Sequence, residues 1–412
     1  MTKSIQLCLF FALCVAIPFE NTALAAIGGV FTAPLSIVLI PALLVFVFLN
    51  RNALAAGDIW LIKVFLLLLM SSVVMLAFWL PDYDIDFLLD RGVRFILLAL
   101  PTIVVYLFCV ALRLDLLEKG IVVVFSVVAA IYLLNLLVPS AVNNVSPLQH
   151  TPALAPHRMR GFTLEASTFG FQFTVAFLLF SSVKKISPFV AFALLFLLCA
   201  PITSKGTMVC IGVAGFVAFS HCYVRVTPAV KIAVTSFMLV ALVSIVSGPL
   251  AEMFHSSIYK YGSVGTRSAV ILLPLVSLVH FPLGVGFFGF LPAFYEYGPL
   301  SVDFLDMLFP NVMNFDEVFY YFIPGNTIGV STKSFFMDWF LYGGLIFLIA
   351  YYKAARFLFL GVGRMYSFPC LTLLVFVVLA TTFFVPVDGR LIAPLAVAYL
   401  VRMIRENSRQ AI

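Results

Sequence analysis

The sequence predicts an all-α polytopic membrane protein, with about twelve transmembrane helices and one large external loop carrying short or re-entrant helices. Three observations predict it. Hydrophobic residues make up 63% of the chain and charged residues only 10%, with a mean hydropathy of +1.16, whereas soluble domains are about a quarter charged. A hydrocarbon core about 30 Å thick needs roughly 20 apolar residues in helix to cross it, and such runs follow one another along this chain. The runs lack the period-two alternation of membrane strands, which excludes a barrel.

Taken in order, the expected spans lie near residues 5–19, 33–49, 59–80, 95–112, 120–138, 168–183, 187–203, 207–224, 228–247, 336–352, 366–385 and 390–404. The first has two readings. Lys3, the apolar stretch Ile5 to Ile17 and "ALAA" at Ala23 to Ala26 fit a cleavable secretory signal. We favour a retained helix, because polytopic chains use their first span as the insertion signal.

Lysine and arginine set the orientation. With the amino terminus in the cytoplasm, Arg51, Arg113, Lys119, Lys184, Lys185, Arg225, Lys231, Lys353, Arg356, Arg364, Arg402, Arg405 and Arg409 fall inside. The acids Asp82, Asp84, Asp86, Asp90, Glu296, Asp303, Asp306, Asp316, Glu317 and Asp388 collect outside, and both termini are cytoplasmic. Residues 268–290 are apolar enough to pass for another span, but counting them as one would move the Arg402, Arg405, Arg409 cluster outside. We therefore expect three parts: an amino-terminal bundle over 1–247, a large external loop over 248–335 and carboxy-terminal helices over 336–412. The loop helices lie on or dip into the membrane, broken at Pro274, Pro282 and glycines 284, 286 and 289.

Much of the remaining chemistry is bland. The seven cysteines sit in or at the ends of apolar runs and behave as small core residues. No Cys/His spacing suggests zinc. Lys63 can snorkel from its span, and His150, His157 and His255 stand alone on the outside. "PDYDIDF" at 81–87 offers three carboxylates, but the glycine and closing glutamate of a calcium loop are missing. It is expected to be a solvated acidic loop balanced by Arg91 and Arg94.

External cations are the exception to the charge rule. Arg158, Arg160, Lys205, Lys260, Arg267 and Lys333 come from three separate external segments. Each alone is explained by snorkelling to lipid headgroups. Together, several fixed cations in a low-dielectric cavity suit an anionic substrate.

"RMRGFTLEAS", "PITSKG", "TRSAVILLPLVSLVHFPLGVGFFGF" and "FFMDWFLYGGLIF" occur in that order. They resemble the Arg-x-x-Gly motif, the Thr-x-Ser-Arg-Gly turn, the Arg, apolar helix, Pro-Leu-x-Gly-x-Gly pattern and the late glycine-paired span of the O-antigen polymerase and ligase superfamily of membrane glycosyltransferases. The resemblance covers most of the chain as topology and four short motifs as residues. Two departures stand out: Lys205 replaces the usual arginine and loses its bidentate fork, and no histidine falls between His280 and Asp338, where the ligases carry one. That favours polymerase over ligase.

The resemblance implies a membrane-embedded helical bundle of the GT-C-like kind on the outer face of the bacterial inner membrane. There it would polymerise polyprenyl-diphosphate-linked repeat units into a surface polysaccharide. The partners implied are the polyprenyl-diphosphate-linked glycan, as donor and acceptor, and membrane lipid, with a chain-length regulator left open. No nucleic acid, cofactor or metal is implied. The donor carries its own leaving group, so the enzyme needs cations for the diphosphate and one base for the attacking hydroxyl. Arg160, Lys205 and Arg267, with Arg158 peripheral, are the diphosphate candidates. Glu165 is the first base candidate, with neutralisation of Arg158 or Arg160 as its plain alternative, and Asp338 the second. Arg160→Ala or Arg267→Ala is expected to abolish chain extension with the protein still in the membrane, and Lys205→Arg to be tolerated. A ligase of the same superfamily, a polyprenyl-linked glycan flippase and an assembly or sensor protein whose aromatic loop binds a partner remain open.

Overall fold

Apolar stretches of this length must satisfy every backbone N–H and C=O internally, which helices do. The computed structural model describes residues 3–25, 34–153, 155–223, 263–310, 312–327, 329–386 and 390–410, and among them it holds helices and no strand. The principal helices are α1 (Lys3–Ala16), α2 (Ile40–Leu49), α3 (Ala56–Trp79), α4 (Ile85–Ala111), α5 (Leu114–Leu137), α6 (Ala166–Val183) and α7 (Pro188–Cys199). They continue as α8 (Lys205–Tyr223), α9 (Ser263–His280), α10 (Phe290–Leu308), α11 (Asp316–Phe322), α12 (Phe335–Met365), α13 (Phe368–Phe383) and α14 (Ile392–Gln410).

Six of these, α3, α4, α5, α6, α8 and α12, are long and apolar enough to cross a membrane. The expectation of about twelve full spans is therefore met by six among the described residues, and the expected span 228–247 lies outside them. The shortfall is one of length. At about 1.5 Å per residue, the 14 residues of α1 and the 16 of α13 fall short of a hydrocarbon core of about 30 Å. α14 has a polar face bearing Arg402, Arg405 and Glu406. The apolar segment 268–290 is not one continuous helix: α9 ends at His280 and a turn over 281–289 leads to α10.

Two hydrophobic cores divide the molecule. One gathers α1, α2, the second half of α4, α5, α6, α7, α8, α13 and α14 around Phe10, Phe108, Phe173, Ile211, Phe376 and Tyr399. The other gathers α3, the first half of α4, α9, α10, α11 and the start of α12 around Trp79, Phe287, Phe290, Phe294, Trp339 and Tyr342. Leu100 and Ile103 of α4 pack against both, so the segment 263–330 rests on the bundle.

α1 belongs to the first core. Phe10, Leu13 and Cys14 are fully buried, and a Cβ on Gly120 of α5 would stand 2.2 Å from the Phe10 ring, so the missing side chain is what admits α1. With packing rather than water driving association inside a membrane, removing α1 would open that core. We predict that the mature protein keeps residues 3–25 and that Phe10→Ala lowers stability by about 3 kcal/mol. An intact mass corresponding to cleavage after "ALAA" would refute this.

The segment between α9 and α10 enters a break in α12. Gly344 has φ +49° and ψ −131°, so the helix ladder fails there and leaves groups without intrahelical partners. The loop supplies them. Val285 N–H donates to Leu341 O (2.9 Å), Gly286 N–H to Tyr342 O (3.1 Å), and Leu345 N–H donates back to Pro282 O (2.9 Å). From α3, Ser72 Oγ accepts from Phe287 N–H (3.0 Å) and Trp79 Nε1 donates to Val285 O (3.3 Å). Gly344 lies nine residues into α12, about 13 Å along its axis, so the loop reaches well inside the length of that helix, and the chain turns at Pro282, Gly284 and Gly286.

Candidate functional site

The loop before α6 and the turn before α8 meet at one end of the first core. Thr203 closes the short 3-10 turn Ala200–Ile202 with a left-handed φ of 54°, and Arg158 donates to it twice, from Nε to Oγ1 and from Nη2 to the carbonyl, each at 3.3 Å. Lys205 follows as the exposed first residue of α8. α6 and α8 approach closely just inside: a Cβ on Gly170 would lie 2.7 Å from Thr207 Oγ1. Glu165, at the N-cap of α6, is exposed and accepts a hydrogen bond from Ser167 Oγ (3.1 Å). Lys205 and Glu165 thus stand at two neighbouring helix starts, and Arg158 reaches from the loop before α6 to the turn before α8.

Arg160 is placed differently from its neighbours. It is buried, and Nη2 donates to Thr151 O (2.7 Å), Val142 O (3.3 Å) and Asn143 O (3.5 Å) while Nη1 donates to Pro152 O (3.3 Å). Burial pushes its pKa below the ordinary arginine value. The guanidinium holds the loop 142–152 together. The expectation that it faces an open cavity does not match this arrangement, because four carbonyls surround it.

Arg267 lies in the first turns of α9, beside Ala269 and Val270 of the second core, and so belongs to a different part of the molecule from Arg158 and Lys205. Asp338 is buried at the start of α12, where Oδ1 accepts from Thr332 N–H (2.9 Å) and Thr332 Oγ1 (2.8 Å). Ser334 caps the same helix by accepting from Met337 N–H (3.2 Å) and donates to Thr382 O (2.6 Å) at the end of α13. Asp338 therefore clamps a tight loop, a role that answers the cost of burying it. Lys333 is tied down as well, with Nζ 3.2 Å from Gly329 O and 5.2 Å from the centre of the Tyr321 ring. Lys260, His255 and Asp388 lie outside the described residues.

In the acidic segment at 81–87, Tyr83 donates to Glu296 (3.2 Å). Burial raises the Glu296 carboxyl, the Tyr83 hydrogen bond opposes that rise and Asp82 adds to it. Both Arg91 and Arg94 contact Asp90, at 3.1 and 3.0 Å.

Sequence reasoning missed a cleft of about 1030 Å³ between α3, α4, α12, α13 and α14. Its walls are apolar, with Phe65, Ile103, Trp339, Val377 and Val401 among them, and it carries charge at both ends. At one end Asp58 accepts from Tyr106 Oη (2.9 Å) and from Arg405 Nη2 (2.8 Å), and Lys353 lies over the Trp60 ring. At the other stands Arg390, buried, donating to Glu20 through Nη1 and to Thr168 Oγ1 through Nη2 (3.1 Å). Gln172 Nε2 donates to the second oxygen of Glu20 (3.3 Å). The fifteen residues from Arg390 to Arg405 give about 22 Å at helical rise, much of a hydrocarbon core of about 30 Å.

The cleft is lined by apolar side chains along its length, and at its Arg390 end the guanidinium is ion-paired with Glu20. Thr168 belongs to the first turn of α6, three residues after Glu165, so that end adjoins the Arg158, Lys205 and Glu165 group. The available signal was a lone arginine just before an apolar helix and a lone glutamate just after α1.

No family profile matches the chain. No solved structure matches it. Over 412 aligned residues, 98% of this chain and 93% of the other, it is 31% identical to a protein of Klebsiella pneumoniae described as "Uncharacterized 49.5 kDa protein in cps region".

Proposed function

The chain belongs to the same family as that cps-region protein, and from this premise we propose that it polymerises polyprenyl-diphosphate-linked repeat units of a capsular or related surface polysaccharide. The cps-region relative supports a role in capsule polysaccharide biosynthesis. The observation that carries the finer reading is the apolar cleft of about 1030 Å³ with Arg390 at one end. It suits an amphiphile with one long apolar chain and an anionic head, which is what a polyprenyl diphosphate is. Arg158, from the loop before α6, and Lys205, at the start of α8, support the reading from beside it.

In this reading the enzyme works on the outer face of the inner membrane. The isoprenoid chain lies in the cleft and the diphosphate emerges at Arg390. An acceptor sugar hydroxyl attacks the anomeric carbon of the donor. The bond from that carbon to the diphosphate oxygen breaks, and its electron pair leaves with the lipid diphosphate. The hydroxyl proton passes to Glu165, the exposed carboxylate of the group, while Lys205 and Arg158 offset the charge that develops on the departing phosphate. Asp338 and Arg160 act as braces that hold the surrounding loops.

The test is a deletion strain complemented with variants and read on polysaccharide gels. Deletion is expected to collapse the ladder to a single repeat, and Glu165→Gln or Lys205→Ala to reduce rate by about 100-fold at normal protein levels, with Lys205→Arg tolerated. Long chains stranded on their lipid carrier would point instead to a ligase, and material trapped on the inner leaflet to a flippase. A full ladder in the deletion strain would end the proposal.

A further inference from the structure

We propose that Arg390 is the residue that grips the tail-proximal phosphate at the mouth of the cleft, with Glu20 and Thr168 holding its guanidinium in place. The inference deepens the proposed function and rests on it for the identity of the lipid. Three observations carry it. Arg390 lines the cleft itself, whereas Arg158 and Lys205 stand beyond it. It is buried, and its orientation is set by partners from two other helices' ends, Glu20 just after α1 and Thr168 in the first turn of α6. Among the described residues lining the cleft, Arg390 is the charged side chain at its own end, since Asp58, Lys353 and Arg405 stand at the opposite one.

The physical argument is one of placement. A lipid whose chain lies along Phe65, Ile103 and Val377 must bring its first polar atoms to the level where the apolar walls end. Arg390 stands at that level. A guanidinium is planar, keeps its charge when buried and matches phosphate geometry with parallel N–H donors. Glu20 neutralises it while the cleft holds no anion, which makes burial of the arginine tolerable. Glu165, three residues before Thr168 at the N-cap of α6, and Lys205 at the start of α8 then flank the place where the second phosphate and the sugar would lie.

Bulk phospholipid offers the same chemistry, a phosphate on apolar chains, so the experiment separates the two. The full chain in nanodiscs would be titrated with a long-chain polyprenyl diphosphate, with the matching uncharged polyprenol and with phosphatidylglycerol as competitor. Wild type is expected to prefer the diphosphate over the polyprenol by about 100-fold, the size of two charge-assisted hydrogen bonds. In Glu20→Gln/Arg390→Gln, which removes both charges and leaves none orphaned, that preference should fall by about tenfold or more while polyprenol affinity stays unchanged. Arg390→Lys keeps a cation beside Glu20 and decides the matter independently of how the double variant folds: a loss of about three- to tenfold is expected from the missing fork. Full diphosphate affinity in Arg390→Lys, or phosphatidylglycerol competing as well as the diphosphate, overturns the proposal. A diphosphate preference that depends on Arg390, in a protein whose deletion leaves the ladder intact, would sink the polymerase reading and leave this site standing.

Discussion

Gly344→Ala is expected to remove most of the protein from the membrane. A Cβ there would lie 2.3 Å from Pro282 O and 2.4 Å from Gly284 N, both backbone atoms that cannot step aside. The conformation itself, φ +49° with ψ −131°, is one that side-chain-bearing residues occupy only at a cost of about 1–3 kcal/mol. If α12 straightened in response, the bonds from Val285 to Leu341 and from Gly286 to Tyr342 would be lost, stranding polar backbone where water is scarce. The summed penalty exceeds about 5 kcal/mol, enough to unfold a protein of ordinary stability. Gly57→Ala is the control, because nothing lies within 4 Å of a Cβ there; it should be neutral or slightly stabilising by helix propensity. Membrane levels by immunoblot and melting of the purified protein would decide it, and normal levels of Gly344→Ala would show that the break in α12 is not as described.

The second large effect is Arg160→Ala. The sequence alone led us to expect loss of chain extension with normal amounts of protein; the structure changes the expected result to loss of the protein as well. Without the guanidinium the carbonyls of Val142, Thr151 and Pro152 lose their donor, while Asn143 O keeps Ala153 N–H, and the loop loses its common tie along with about 1–3 kcal/mol for each buried group left unpaired. A destabilisation above about 3 kcal/mol follows. Arg158→Ala, which gives up two hydrogen bonds to Thr203 from a half-buried position, should stay within about 1 kcal/mol of wild type and lose activity without losing protein. Equal melting temperatures for the Arg160→Ala and Arg158→Ala proteins would contradict this assignment.

Both results bear on why the cations looked alike in the sequence. Arg158 and Arg160 are two residues apart in one polar stretch, and local pattern gives them the same character. Only the fold of 142–152 around one of them turns Arg160 into a brace and leaves Arg158 reaching to the next turn. The same holds for the two carboxylates. Asp338 was notable for its place just inside a span, but the cause is Thr332, folded back on it through the loop that Ser334 caps. Glu165, by contrast, is exposed at the N-cap of α6, where its carboxylate accepts from Ser167 Oγ.

By itself, the sequence determined the all-helical class with helices apolar enough to cross a membrane, the positions of most helices and the break in the apolar segment at Pro282, Gly284 and Gly286. Each of these follows from local physics: apolar runs must close their own hydrogen bonds, and proline and glycine mark where they do not. Tertiary structure alone decided that the Pro282 to Gly286 loop would fill the gap at Gly344, that the helices would leave a cleft beside α14, and that Arg390 would meet Glu20 across 370 residues of chain. No periodicity encodes such pairings. They arise when buried charges and unsatisfied backbone groups from distant segments find one another, because inside a membrane leaving them alone costs more than bringing them together.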